Sequence, residues 1–381
     1  MNSFDSFAIQ IRKLTAADVP ALLALLNRTF SAENERFESF PENFPRIFGA
    51  DCARHAPEHM GAFAGGRLIG AAASYSLEYH IGDRVLHLNG GGNIAVAAEA
   101  RGCGVMSALL RQIRTETAET ADLSYLHGKI DRYRRFGYES CGTEYRIRFS
   151  RHRMKSLGVG AYRFDDLRHT DIPPVLHALS QQRYEHVART RAELLPALCS
   201  CGRIPVGIRD GDRAVGYFSY DPLTEVVEEF AFEPSADLPA ILAAWMSWTQ
   251  TDVSLRMAPY DLPMCQTLLR AAEDFVIGAP ALFRVHRFDR VVETLLHNRA
   301  QYQPNLPQGT LCIGSNCFPA PLTVSYIDGR AAAVYTPGAQ PDCVRNDAEI
   351  YAFLFGSAPR ILRGHPSDAW FPLPLYVPYL T

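Results

Sequence analysis

Asn93-Ile94-Ala95-Val96-Ala97-Ala98-Glu99-Ala100-Arg101-Gly102-Cys103-Gly104-Val105-Met106-Ser107-Ala108-Leu109-Leu110 reads as an apolar strand, a short turn and the start of a helix. Such a junction suits an anion. The first N–H groups of a helix have no internal partner, and the helix dipole adds partial positive charge there. Gly102 and Gly104 let the backbone come close to a ligand. A pyrophosphate fits this description. The Lys-Ser/Thr pair of a P-loop is absent, and so is the three-glycine dinucleotide fingerprint. Glycine turns between strand and helix also occur in many α/β folds without a ligand.

The turn Arg101-Gly102-Cys103-Gly104-Val105-Met106 resembles the Arg-x-x-Gly-x-Gly/Ala loop of GNAT acetyltransferases. Met106 stands where most of them have Gly or Ala. A larger apolar residue there is similar to the Eis (enhanced intracellular survival) branch. A second segment has the same resemblance. Tyr133-Arg134-Arg135-Phe136-Gly137-Tyr138 is similar to the Tyr-Gly-Arg-Phe-Gly-Tyr stretch of Eis proteins. The structural alternative is that Phe136 and Tyr138 are core aromatics and Gly137 a helix C-cap. The resemblance implies an acetyl-CoA site formed by Ile94, Ala95, Val96, Arg101, Gly102, Cys103, Gly104, Val105, Met106, Ser107, Tyr133 and Arg134. It also implies Tyr138 as general acid.

At 381 residues the chain is long enough for two or three domains. Its composition, 47% hydrophobic and 21% charged, is that of a soluble globular protein. No apolar run approaches the ~20 residues of a membrane span. The first residues show no secretory pattern, so a cytoplasmic location and no membrane association are expected. The net charge of −3 does not predict nucleic-acid binding. The nine cysteines are scattered, which fits reduced thiols better than a disulfide framework. Cys199-Ser200-Cys201 has no second pair at zinc spacing, so no metal is expected. Cys103 sits at a helix N-terminus, where a thiol pKa can fall. The loop nevertheless places it at the phosphates, away from the thioester.

The chain repeats a design. Leu14–Leu26 resembles Leu167–Leu179, with Asp18-Val19-Pro20 matching Asp171-Ile172-Pro173. Asp18 and Asp171 read as N-caps, followed by helical apolar spacing. Each copy then has a hairpin, turning at Gly65-Gly66 and at Gly211. In the second copy the strand 226–232 is followed by Glu233-Pro234-Ser235-Ala236-Asp237, without the arginine and glycines. That copy is expected not to bind acetyl-CoA. Eis proteins likewise join an active and a degenerate GNAT domain.

Beyond residue 284, strand-like runs at 310–314, 321–327 and 330–336 precede a helix at 347–356, with Asp347 and Gly356 as its caps. This resembles the sterol-carrier-protein-like domain that closes Eis chains. The fold class is therefore α/β (α+β): residues 1–150 a catalytic GNAT domain, 151–283 a degenerate GNAT domain, and 284–381 a sterol-carrier-protein-like domain. The ending Trp370–Thr381 is apolar and stiffened by Pro372, Pro374 and Pro378, so it should dock. The resemblance implies that the Thr381 α-carboxylate reaches the active site as general base, although Eis chains usually end in a bulky apolar residue. It further implies a homo-oligomer, a hexamer by family, and an aminoglycoside, polyamine or lysine-like acceptor. The acidic and aromatic run Phe30–Phe40 would line the acceptor pocket. The alternative is a non-catalytic acetyl-CoA-binding or lipid-binding protein.

Overall fold

The computed structural model describes residues 9–31, 37–155, 160–260, 262–356 and 365–378. The described part is built on three sheets. The first has eight strands. Its order runs Gln10–Lys13, His59–Ala64, Arg67–Ile81, Arg84–Val96, Leu123–Leu126, Ala281–Val285, Glu139–Cys141, with Glu185–Val187 added on the Arg67–Ile81 strand. All neighbours are antiparallel except Arg84–Val96 with Leu123–Leu126. The helices Val19–Ser31 and Val105–Thr117 bury Leu22, Leu25, Leu26, Val105 and Leu109 in one cluster with residues of the sheet.

The second sheet repeats this order over seven strands. It runs Tyr162–Asp166, Ile204–Asp210, Arg213–Asp221, Val226–Phe232, Val253–Met257, Glu144–Phe149, Asp274–Gly278. Again one neighbouring pair is parallel, Val226–Phe232 with Val253–Met257. Both expected hairpins are present.

The two sheets exchange one strand. Glu144–Phe149 follows the last strand of the first sheet in sequence, yet it pairs with Val253–Met257 and Asp274–Gly278 in the second. Ala281–Val285 follows the second sheet in sequence, yet it lies between Leu123–Leu126 and Glu139–Cys141 in the first. A cut after 150 therefore parts Glu144–Phe149 from the second sheet, and a cut after 283 falls inside Ala281–Val285 of the first. The chain passes from the first sheet to the second at Gly142 and Thr143. The Gly142 N–H donates to the Phe355 carbonyl at 2.6 Å, and the Thr143 N–H to the Leu375 carbonyl at 2.8 Å. Gly142 has φ 90°, a left-handed backbone that favours glycine, and a Cβ there would stand 2.3 Å from the Leu375 oxygen.

The third sheet has four strands, ordered Arg330–Tyr335, Leu322–Ile327, Gly309–Ser315, Cys343–Arg345. The helices Phe288–Tyr302 and Asp347–Phe355 pack with it. Trp370, Leu373, Leu375 and Tyr376 are buried in the same cluster, together with Tyr79, Leu88 and Phe283 of the first sheet. Full burial of each such side chain contributes ~1.5–3 kcal/mol, so this tail is held.

Some expected caps differ. Asn346, not Asp347, accepts the Glu349 N–H at 2.9 Å, because it is the last extended residue before the helix. Gly356 ends that helix without left-handed backbone. Asp18 sits inside its first turn and accepts from the Thr15 N–H at 2.8 Å and from Arg12 at 2.8 Å. Asp171 caps nothing, since the second helix begins after Pro173 without a side-chain cap. None of the nine cysteines is in a disulfide. No helix among the described residues is long and apolar enough to cross a membrane.

Candidate active site

The Arg84–Val96 strand pairs with Leu123–Leu126 only through Leu88, Asn89 and Gly90. Beyond Gly90 the two parallel strands part. A bulge between Ala71 and Ala73 and the positive φ of Asn93, 51°, bend the strand away. The parting opens a cleft of about 680 Å³.

One wall is the opened strand, through Gly91, Gly92, Asn93, Ile94 and Val96. The floor is the turn into the Val105–Thr117 helix. Gly102 and Gly104 there have φ 84° and 76°, and a Cβ on either would meet open space. Glycine is thus required by the backbone conformation and not by crowding. Gly104 caps the helix and no side chain covers its N-terminus. The other wall carries Arg132, Tyr133 and Arg135, with Lys129 and His127 above. Arg135 donates to the Ser107 hydroxyl at 3.1 Å, tying that wall to the helix. Arg101, Lys129, Arg132 and Arg135 all line the cleft, and no carboxylate among the described residues does. Four cations and a helix N-terminus make this a site for a polyanion.

Most of the sequence-derived contacts line the cleft: Ile94, Val96, Arg101, Gly102, Gly104, Val105, Met106, Ser107 and Tyr133. Four expected residues do not. Ala95 alternates to the opposite face and is buried in the core, as period-two strand geometry requires. The Cys103 side chain packs against that same core, with Sγ 3.9 Å from the Arg101 carbonyl. Arg134 turns outward to Glu139, 3.3 Å away. Its neighbours Arg132 and Arg135, one helical turn apart, face the cleft instead. That i, i+3 spacing was a usable signal in the sequence. Tyr138 lies outside the lining, although it shares a buried cluster with Tyr133, Leu110, Leu126 and Phe136. Burial pushes its hydroxyl up to about 12. Thr381 lies outside the described residues, as do Ala32–Arg36 of the expected acceptor wall.

A polar chain leads out of the cleft. The Asn93 side-chain amide donates to the Tyr75 hydroxyl at 2.5 Å, and Tyr75 stands 3.3 Å from Nε2 of His59. His59 Nδ1 faces the His55 carbonyl at 3.1 Å, which fixes its proton on Nδ1 and leaves Nε2 as acceptor. Burial lowers this imidazole to about 4, so it is neutral at pH 7. Tyr75 borders a second cavity of about 320 Å³, between the first sheet and residues 187–193. Sequence reading missed this cavity because it joins segments more than a hundred positions apart.

The second sheet has no equivalent turn. There the helix Leu238–Thr249 is capped by Asp237, whose carboxylate accepts the Ala240 N–H at 3.1 Å. An anion of the chain itself occupies the place a phosphate would take.

Comparison with known proteins agrees with this geometry. Residues 10–141 match the family described as an acetyltransferase (GNAT) domain. The chain therefore carries a GNAT acetyltransferase domain over residues 10–141. No curated protein matches the chain. Among solved structures it is similar to Eis1 from Mycobacterium abscessus, at 19% identity over 90% of this chain and 88% of that one, with TM-score 0.57. It is also similar to a GCN5-related N-acetyltransferase from Kribbella flavida, at 17% identity, 91% and 88% coverage and TM-score 0.63. A GCN5-related N-acetyltransferase from Anabaena variabilis gives 15%, 91%, 89% and 0.63. At these identities the likeness is one of fold.

Proposed function

We propose that the chain is an acetyl-CoA-dependent N-acetyltransferase with one working cleft. The observation that carries this is the cleft itself: an opened parallel strand pair above a glycine turn, lined among the described residues by four cations and no carboxylate. A pyrophosphate sits at the helix N-terminus in this reading, held also by Arg101 and Arg135. The second sheet, with its repeated strand order, is a degenerate copy. The C-terminal sheet is the sterol-carrier-protein-like unit.

In the reaction the neutral amine attacks the thioester carbonyl. The N–C bond forms, the C–S bond breaks, and the amine loses a proton. Backbone N–H groups along Gly91–Val96 stabilise the oxyanion. The leaving thiolate takes a proton from a tyrosine. Tyr133 is favoured over Tyr138, because Tyr133 lines the cleft and Tyr138 does not. Burial raises the Tyr133 hydroxyl above its ordinary value, so it stays protonated at neutral pH.

The Thr381 α-carboxylate remains the proposed base. What supports it is the course of the tail. Val377 is buried, and Pro378 lies against Arg183 and Arg189 in a small cavity that shares Val187 and Arg189 with the one beside Tyr75. Neutral His59, reached through Tyr75, is the second candidate.

The test is acetyl-CoA titration by calorimetry together with thiol release on a panel of amines. One site per chain with amine-dependent thiol release is expected. Absence of binding overturns the reading. Binding without release on any amine points to a non-catalytic acetyl-CoA-binding protein.

A further inference from the structure

The second sheet ends on an edge that the chain leaves open. Asp274–Gly278 pairs with Glu144–Phe149 and with no other strand among the described residues. Its register runs unbroken, from Asp274 opposite Arg148 to Gly278 opposite Glu144. Phe275, Val276 and Ile277 are 50%, 59% and 45% exposed. No other strand among the described residues has more than one exposed large apolar side chain.

Native proteins usually guard a sheet edge with charge, proline or a bulge. The other end strands do so with charge. Gln10–Lys13 carries Arg12 and Lys13, Glu139–Cys141 carries Glu139, and Tyr162–Asp166 carries Arg163, Asp165 and Asp166. In the third sheet Arg330 and Arg345 stand on the two end strands. Asp274 is the one charged residue of Asp274–Gly278, and Arg148 holds it at 2.7 Å. An open apolar edge is a template for another strand, because its outward N–H and C=O groups have no ladder partner.

This edge is complementary to itself. Turned about a two-fold axis through Val276, the strand runs antiparallel to its own copy. Val276 then faces Val276 of the second copy, and Phe275 faces its Ile277, so the three apolar residues of each strand are covered. Phe275 and Ile277 lie on the face of Ile147 and Tyr145, which they oppose in register, so the apolar rows of the two copies join. Asp274 faces Gly278 of the second copy, where a Cβ would meet nothing within 4 Å. The carboxylate therefore has room and no like charge opposite it. A parallel pairing in the same register would instead set Asp274 beside Asp274. We propose that a second copy of this chain adds to the Asp274–Gly278 strand, antiparallel and centred on Val276, so that the two sheets continue as one. Five residues a side make a short ladder, so the contact is a weak one that forms at micromolar concentration and above.

The test is sedimentation velocity of the full chain from about 1 to 100 µM, the span of a weak specific contact. The mass should rise from one chain, 42.4 kDa, to at least twice that. Val276→Lys sets like charges against each other on the axis and should weaken association by roughly tenfold or more. Its melting temperature checks that it is folded. Val276→Cys is a milder change and tests the register, since residues facing each other across the axis lie within disulfide reach. Mild oxidation should link position 276 to position 276, read by peptide mass spectrometry. Asp274→Cys should not link to itself, because the two positions lie about 13 Å apart along the ladder. The wild type, whose nine cysteines are free, is oxidised in parallel as background. A single-chain mass at every concentration overturns the proposal. So does an oligomer that folded Val276→Lys leaves unchanged, or association without the link at position 276. If Val276→Lys does not fold, the link at position 276 decides alone.

Discussion

Tyr133 and Tyr138 face each other edge to face, ring centroids 6.2 Å apart at 70°, and only Tyr133 reaches the cleft. Tyr138 stands behind it, near Ser124, whose hydroxyl lies 2.7 Å from His286 Nε2. Both rings are buried in one apolar cluster, and they differ in that Tyr133 borders the cleft. Tyr133→Phe should lower turnover by roughly 10²–10⁴-fold, the range for a positioned acid, with acetyl-CoA affinity kept. Tyr138→Phe should cost less than tenfold, roughly, since it removes no group from the cleft. Steady-state thiol release decides between them, and the reverse ranking would return the proton to Tyr138.

Gly104→Glu should abolish acetyl-CoA binding. The substitution forces a side chain onto a left-handed residue at φ 76° and puts a carboxylate at the helix N-terminus. Gly104→Ala separates the two effects: it carries the backbone strain of roughly 1–3 kcal/mol without the charge. Calorimetry should show weakened binding for Ala and none for Glu. Binding retained by the Glu variant would remove the phosphate from this turn.

The strand exchange makes a specific demand on fragments. Residues 1–150 lack Ala281–Val285, which joins Leu123–Leu126 to Glu139–Cys141. That fragment should give no cooperative thermal transition, whereas the full chain should unfold with its two large sheets coupled. Gly142→Ala should lower the melting temperature, because it adds a Cβ beside the Leu375 oxygen at the crossing. A well-folded 1–150 fragment would contradict the exchange.

Stability should fall on mild acidification. His59 and His286 are both lowered to about 4 by burial, against an ordinary 6.5. Between these values the unfolded chain binds more protons, so stability rises with pH from 4 to 6.5 and is lost in the other direction. For His59 the loss is at most about 3 kcal/mol. Glu229, lowered to about 2 by Arg189 and Arg183 against its burial, loses its contribution only below its ordinary 4.5. Denaturant unfolding at pH 7, 6 and 5 checks this, and His59→Gln should flatten the slope.

The sequence by itself determined the glycine turn. Gly102 and Gly104 are needed for a positive φ, a property of single residues, and the helix N-terminus follows directly in the chain. It also determined the two hairpins at Gly65-Gly66 and Gly211, because these close locally. It could not assign Glu144–Phe149 and Ala281–Val285 to their sheets. Both are short strands whose partners lie more than a hundred residues away in the chain. Nor could it separate Tyr133 from Tyr138, since two tyrosines on one short turn differ only in where their side chains point. That Tyr75 and Arg189 line one cavity is a tertiary fact. Helix, strand and distant loop meet at that cavity only when the first sheet is closed and the 185–193 segment is laid against it.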